Sequence, residues 1–291
     1  MNSRYLQLDV FPATPGGGNP LGVVLDAAGW SDADMQRFAA WTDLVETTFV
    51  LPPTTADASY RLRIFTPVKE IPFAGHPTIG SAHAVLEGGI ARANDGELIQ
   101  ECGAGLLPIR VEEGTSRQLF VRAPMARVLR EGVDDESPLH ALLDRVALGA
   151  LPPALVEGGR RWWIAEFADE AAVRAWRPDH AAIARLARAS DALGLCVFAR
   201  CGGGAYDLVV RAFPAGVGIV EDPASGAANG LVAAWIAARE PAGPLARGYR
   251  VSQGREMGRD ASLLIRIDAA GVWVGGATST VVAGEVRWPP R

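Results

Sequence analysis

Two short stretches carry the residues best suited to chemistry. One is Phe73-Ala74-Gly75-His76-Pro77-Thr78-Ile79-Gly80, and the other is Val220-Glu221-Asp222-Pro223-Ala224-Ser225-Gly226. Each sets a polar residue before proline and small residues, then opens onto an apolar, alanine-containing run, which is how a helix begins. Proline suits the first helical position because its missing N–H would lack a partner there anyway, and the residue before it is placed as the cap. His76 and Asp222 are therefore each expected at a helix N-terminus. They stand 146 positions apart (222 − 76), close to half of the 291 residues, and Arg63-Ile64-Phe65 and Arg211-Ala212-Phe213 lie upstream of them in turn. The pattern implies a duplicated unit with one helix start in each half. A helix N-terminus offers N–H donors and a partial positive charge, so two of them facing each other across one cleft would hold a small anion, most simply a carboxylate. Either residue alone reads as an ordinary cap; two at one repeat distance favour a site.

A third candidate is Glu46, in Val45-Glu46-Thr47-Thr48-Phe49-Val50-Leu51, a strand-like run interrupted by one carboxylate. Such a glutamate is either an edge residue facing water or a half-buried acid. Burial would raise its pKa toward neutrality, which suits a group that both takes and returns a proton. The spacing alone leaves both readings open. His83, seven positions after His76, does not make a metal pair, since metal-binding helices use closer spacing and no cysteine or carboxylate completes a set. The turn-rich stretch from Pro12 to Pro20 holds Gly16, Gly17 and Gly18 but lacks a Gly-Lys-Ser/Thr or G-x-G-x-x-G pattern, which excludes a phosphate loop. Asn19 at its end suits a tight turn and can also reach a ligand.

Those residues must be positioned by a chain of 49% hydrophobic and 21% charged residues, long enough for two domains of about 100–150 residues. A net charge of −5 without any basic run speaks against nucleic acid or an anionic membrane as partner. The N-terminus lacks the apolar core of a signal peptide and no run of eighteen apolar residues occurs, so a cytoplasmic protein is expected. Three cysteines, Cys102, Cys196 and Cys201, without a C-x-x-C, read as buried thiols.

Periodicity predicts strands at 6–11, 21–25, 45–51, 60–65, 98–100, 106–112 and 119–122, with helices at 31–42 and from His76 to Glu87. The second half predicts helices at 139–148, 170–189 (broken at Pro178) and 223–239, and strands at 162–165, 193–199, 207–213, 249–253, 262–267, 271–275 and 279–282. Arg174, Arg177, Arg185 and Arg188 are expected on a solvated face, and Trp235 in a core. The result is an α+β architecture of two pseudo-symmetric lobes, each a mixed sheet wrapped around a central helix. The lobes are drawn at 1–124 and 125–291, with a last strand that can cross back to the first, and ligands are expected in the cleft.

Asp9-Val10-Phe11, Gly18-Asn19-Pro20-Leu21, Trp41 to Val50, Arg63 to Pro67, Phe73 to Gly80, Glu101 to Gly105, Glu221 to Gly226 and Gln253-Gly254 with Met257-Gly258-Arg259 resemble the PhzF family of phenazine-biosynthesis-like isomerases over nearly the whole chain. The resemblance implies a diaminopimelate-epimerase-like fold, a homodimer, and chemistry without a cofactor or metal. The family's type reaction is isomerisation of trans-2,3-dihydro-3-hydroxyanthranilate, in which a glutamate moves a proton between ring carbons. Glu46 falls at that glutamate's place, and His76 and Asp222 match two supporting polar residues. Gly75, Ser225, Gly226 and the Ala227 N–H fall where the substrate carboxylate is held, with Asn19 beside them. The cysteines do not fall where a two-thiol racemase needs them. The usual Glu-Asp-Pro-x-Thr-Gly-Ser-Ala pattern here ends Ser225-Gly226-Ala227-Ala228, so Ala227 lacks a substrate-contacting hydroxyl, and Asn229 stands where histidine is frequent. The implied activity is isomerisation of a small cyclic or unsaturated carboxylate carrying an amine or hydroxyl. The competing readings are a non-catalytic binding protein of the same fold, and a lyase or cyclase using the same glutamate.

Overall fold

In the first strand, β1 (Asn2–Val10), Leu6, Leu8 and Val10 alternate into the interior, as a half-buried pleated strand requires. Beyond it come β2 (Asn19–Val24), α1 (Asp32–Thr42), β3 (Thr47–Leu51), β4 (Tyr60–Phe65), the two-residue β5 (Glu70–Ile71), α2 (Gly75–Glu87), β6 (Glu97–Cys102), β7 (Gly105–Glu112) and β8 (Gln118–Arg122). The chain continues with β9 (Arg127–Glu131), α3 (Pro138–Leu143), β10 (Ala154–Gly158), β11 (Arg160–Glu166), α4 (Glu170–Ala175), α5 (His180–Ala189), β12 (Gly194–Arg200) and β13 (Leu208–Phe213). It ends with α6 (Gly226–Arg239), β14 (Gly248–Gln253), β15 (Ala261–Asp268), β16 (Gly271–Gly276) and β17 (Thr278–Arg287). This computed structural model describes residues 2–133 and 137–288. The chain divides into two units, one running to Arg122 and resuming at Gly275, the other covering Ala123–Val274. The segment from Gly275 onward thus joins the first unit, where β17 pairs antiparallel with β1.

The duplication is written in the strand pairing. In the first unit β1–β2 is antiparallel, β2–β3 parallel, β3–β4 antiparallel, β4–β6 parallel and β6–β7 antiparallel. In the second unit β10–β11, β11–β12, β12–β13, β13–β14 and β14–β15 repeat that alternation in the same order. Each unit places its main helix after the fourth strand of this series. That helix is α2 in one, packed against β1, β2, β3, β4, β6, β8 and β17, and α6 in the other, packed against β10, β11 and β15. Both helices are apolar nearly all round, as a helix wrapped by a sheet must be. Gly80 lets α2 approach the sheet closely, for a Cβ there would lie 2.5 Å from Leu21 Cδ2. The repeat extends to side chains. Arg63 grips Glu70 through Nε and Nη2 (2.8 and 2.6 Å) and lies over the Phe65 ring; Arg211 grips Glu221 through the same atoms (2.8 and 2.9 Å) and lies over Phe213.

Several expectations need correction. Glu46 is not inside a strand: β3 starts at Thr47, and Glu46 ends the connection from α1. The run 170–189 is two helices broken around Pro178 as expected, with Trp176 already extended between them. Arg174 is not a solvated residue; it bonds Glu170, Glu256, Tyr206 and Ser252. Strands β9 and β10 escaped prediction because β9 is mostly exposed and β10 has only five residues after two prolines. Trp235 is buried as expected. No helix among the described residues is long and apolar enough to cross a membrane.

Candidate active site

In the first unit, Asn19, Glu46, Gly75 and His76 come together. Helix α2 begins at Gly75 with Ala74 as its cap, so His76 is the second helical residue and not the cap that its place before proline predicted. Its side chain instead turns inward and is 6% exposed. His76 Nδ1 lies 3.3 Å from Asn19 Nδ2, and His76 Nε2 lies 3.5 Å from Glu46 Oε2. Burial holds the His76 pKa down to about 3, against a smaller opposing effect of a hydrogen bond to the Pro20 carbonyl. At neutral pH the ring is uncharged, and its contact with Glu46 is not an ion pair. The Glu46 side chain keeps 12% of its surface accessible.

The neighbouring chain explains why these groups stay in place. The Thr42 and Thr47 hydroxyls are 2.9 Å apart and those of Thr48 and Ser81 are 2.8 Å apart, which ties the two residues after Glu46, one to the end of α1 and one to α2. Asn19 is delivered by the glycine-rich turn, whose Gly16 and Gly18 N–H groups donate to the two oxygens of buried Asp9 (2.7 and 2.8 Å). A Cβ on Gly18 would lie 2.2 Å from the Val10 carbonyl oxygen, so only glycine fits this return. Phe11, also at this turn, holds a left-handed φ of 65° while buried, a strained conformation maintained by its surroundings. Asp9 was missed as a site residue; an acid in an apolar strand beside a glycine-rich turn was the available signal.

The second unit brings together Asp222, Ser225, Gly226 and Ala227. Helix α6 starts at Gly226, not Pro223, because the Ser225 hydroxyl caps it by accepting from Ala228 N–H (3.4 Å). Asp222 therefore stands before the cap. Its Oδ1 accepts from Ala224 N–H at 3.1 Å, and its own N–H donates to the Ala212 carbonyl at 2.9 Å. Although part of the residue remains accessible, the protein packed around its carboxyl pushes the pKa up, against the Ala224 N–H and the Ser225 hydroxyl, which favour the ionised form. The Ser225 N–H donates to Gln253 Oε1 (3.3 Å), while the N–H groups of Gly226 and of exposed Ala227 have no intrahelical partner.

Both helix starts lack acidic residues in the first turn, whereas α1 carries Asp32 and Asp34 and α4 carries Glu170 there. The positive ends of α2 and α6 are thus not offset by a first-turn carboxylate, as is also true of α3 and α5. Among the described residues no group of three or more His, Cys, Asp or Glu could hold a metal. Cys196 is fully buried, whereas Cys102 and Cys201 are half-exposed, contrary to the expectation that all three are buried. Chemically, the first-unit cluster offers a largely enclosed carboxyl beside a neutral imidazole, a pair able to accept and return a proton.

Two repeated α+β units, each a mixed sheet around one helix, define the diaminopimelate-epimerase-like fold. The family model described as phenazine biosynthesis-like protein matches residues 8–285, and the chain belongs to this family, that of the PhzF isomerases. It is 33% identical to the trans-2,3-dihydro-3-hydroxyanthranilate isomerase of Pseudomonas aeruginosa, over 92% of this chain and 91% of that one. It is 32% identical to antisense-enhancing sequence 1 of Schizosaccharomyces pombe, over 97% of each chain. The crystal structure of a PhzF-family phenazine biosynthesis protein from Bacillus anthracis superposes with a TM-score of 0.84 at 23% identity, covering 99% of both chains. The chain is an isomerase.

Proposed function

We propose that the enzyme moves a proton on a small cyclic or unsaturated carboxylate that carries an amine or hydroxyl, without a cofactor. Glu46 takes the proton from one carbon and returns it to another. His76, neutral, orients the Glu46 carboxyl and does not discharge it. Asp222 serves the substrate's polar substituent, and the N–H groups at Gly75, Gly226 and Ala227 hold its carboxylate, with Asn19 and Ser225 fixing the two helix starts. The observation that carries this reading is the Asn19–His76–Glu46 cluster, in which a buried uncharged imidazole sits 3.5 Å from the buried Oε2 of a largely enclosed carboxyl. A cationic partner would have stabilised the carboxylate and weakened it as a base.

The relative from Pseudomonas aeruginosa is named for trans-2,3-dihydro-3-hydroxyanthranilate, and Ala227 removes one donor from the place where that family holds its substrate. Turnover of this compound is expected to be weak. Ala227→Ser, at an exposed first-turn position, is expected to raise it while changing stability by less than about 0.5 kcal/mol. A screen of small amino and hydroxy carboxylates for turnover in deuterated water identifies the preferred substrate. Wild-type turnover of dihydrohydroxyanthranilate that Ala227→Ser leaves unchanged contradicts the role given to position 227. A screen without any solvent deuterium incorporation contradicts the proton-transfer reading.

A further inference from the structure

We propose that Gln253 is the positioning residue of the Asp222–Ala227 segment, its one buried amide setting where the α6 N–H groups and the Asp222 carboxyl point. Gln253 ends β14 and is fully buried. The hydrogen bonds assign its two ends without ambiguity. Ser225 N is a backbone donor at 3.3 Å, so the atom facing it is Oε1; the Asp222 carbonyl is an acceptor at 2.7 Å, so the atom facing it is Nε2. With Oε1 fixed, Asn229 turns Nδ2 toward it (2.8 Å), and that nitrogen also donates to the Ser225 carbonyl (2.8 Å). One amide thereby gathers the carbonyl of Asp222, the N–H of Ser225 and the side chain of Asn229, on both sides of the helix start.

The next residue reinforces the same contact. Gly254 has φ +92°, and a Cβ there would lie 2.7 Å from the Pro223 carbonyl oxygen, so the end of β14 lies directly against the Asp222 loop. Only a neutral side chain with a donor and an acceptor side by side meets these demands. An ionised carboxyl cannot donate to the Asp222 carbonyl, and a leucine would leave three buried polar groups without this partner. Because a displacement of about 1 Å at a binding group can cost on the order of 100-fold in rate, the effect falls on ligand binding and turnover before it falls on folding.

The inference rests on the proposed role of this segment in holding a substrate carboxylate, and the test separates the two. Calorimetric titration of the full-length protein with 2-aminobenzoate is made at pH 5 and pH 8 for wild type, Gln253→Glu, Gln253→Leu and Ala227→Pro, with melting temperatures recorded alongside. Asp222 is a titratable neighbour, so each variant is read against wild type at the same pH. At pH 5 the protonated introduced carboxyl can donate to the Asp222 carbonyl, and affinity is expected within about threefold of wild type. At pH 8 it is ionised, and affinity is expected to fall by at least about tenfold relative to wild type, while the protein stays folded. Gln253→Leu, where folded, is expected to bind weakly at both pH values. Ala227→Pro removes one first-turn N–H, a group that has no intrahelical partner to lose, and is expected to weaken binding. If Ala227→Pro weakens binding but Gln253→Glu follows wild type at both pH values, the positioning role is wrong and the site stands. If Ala227→Pro binds as wild type does, or wild type does not bind, the site reading falls and the inference with it.

Discussion

Replacing Arg211 by methionine tests how much the second unit depends on one buried pair. Arg211 is 4% exposed and Glu221 9% exposed, and the guanidinium meets the carboxylate twice, at 2.8 and 2.9 Å. The same guanidinium donates to the carbonyls of Val173 (3.1 Å) and Trp176 (2.7 Å), and lies 3.9 Å from Glu256 Oε2. Arg211→Met leaves Glu221 buried without its counter-charge, brings no cation between Glu221 and Glu256, and takes a donor from two carbonyls. Breaking a buried pair costs about 3–5 kcal/mol, and the stranded carbonyls place this case toward the upper end. Against a total stability of about 5–15 kcal/mol, that is a large share. Removing both charges in Arg211→Met with Glu221→Leu should recover at least about 2 kcal/mol of the loss, because the penalty lies mainly in the uncompensated charge. Equilibrium urea unfolding followed by tryptophan fluorescence and by circular dichroism measures both, with coincidence of the two transitions tested first. A cost below about 1 kcal/mol for Arg211→Met, or a double variant no more stable than the single one, would refute this reasoning.

Two further outcomes follow from the first-unit cluster. His76 stays neutral in the folded protein down to about pH 3, while an unfolded histidine takes its proton near 6.5. Between those values the unfolded state binds more protons, so this residue makes stability fall as pH is lowered from 6.5, by at most about 1.4 kcal/mol per pH unit. Asp222, whose folded pKa is raised, acts in the opposite direction above its unfolded value, so the readout is the difference in slope between wild type and His76→Asn. Equal slopes for the two proteins in urea unfolding from pH 7 to pH 4 would contradict the assignment. Gly18→Ala forces a Cβ to 2.2 Å from the Val10 carbonyl and 2.5 Å from Asp9 Oδ1. It is expected to cost about 1–3 kcal/mol and to displace Asn19, lowering turnover more than stability alone explains; a fully active, equally stable variant would be the contrary result.

Much of this was legible in the sequence because the informative residues are punctuated by proline and glycine. The repeat of Arg-x-Phe and of a polar residue before proline at a small-residue helix start exposed the duplication, and strand β4 was bounded correctly because Tyr60, Leu62 and Ile64 alternate with arginines. The helix starts were misplaced because the side chains that matter are chosen by tertiary contact. Ser225 outcompetes the Asp222-Pro223 pair as cap, and His76 turns away from its own helix toward Asn19 and Glu46. Gln253 was legible only as part of a family-like motif. Its bonds reach back 24 to 31 residues, a range that no local pattern encodes.

The most direct test of the central proposal is Glu46→Gln, assayed by solvent deuterium incorporation with the carboxylate that the screen returns. Glutamine keeps the size of the side chain and its place beside the neighbouring imidazole but cannot take up and return a proton. The loss is therefore expected in kcat more than in KM, on the order of 10²–10⁴-fold, with ligand affinity and melting temperature preserved. Deuterium incorporation by Glu46→Gln at the wild-type rate would contradict the account and move the proton to another residue.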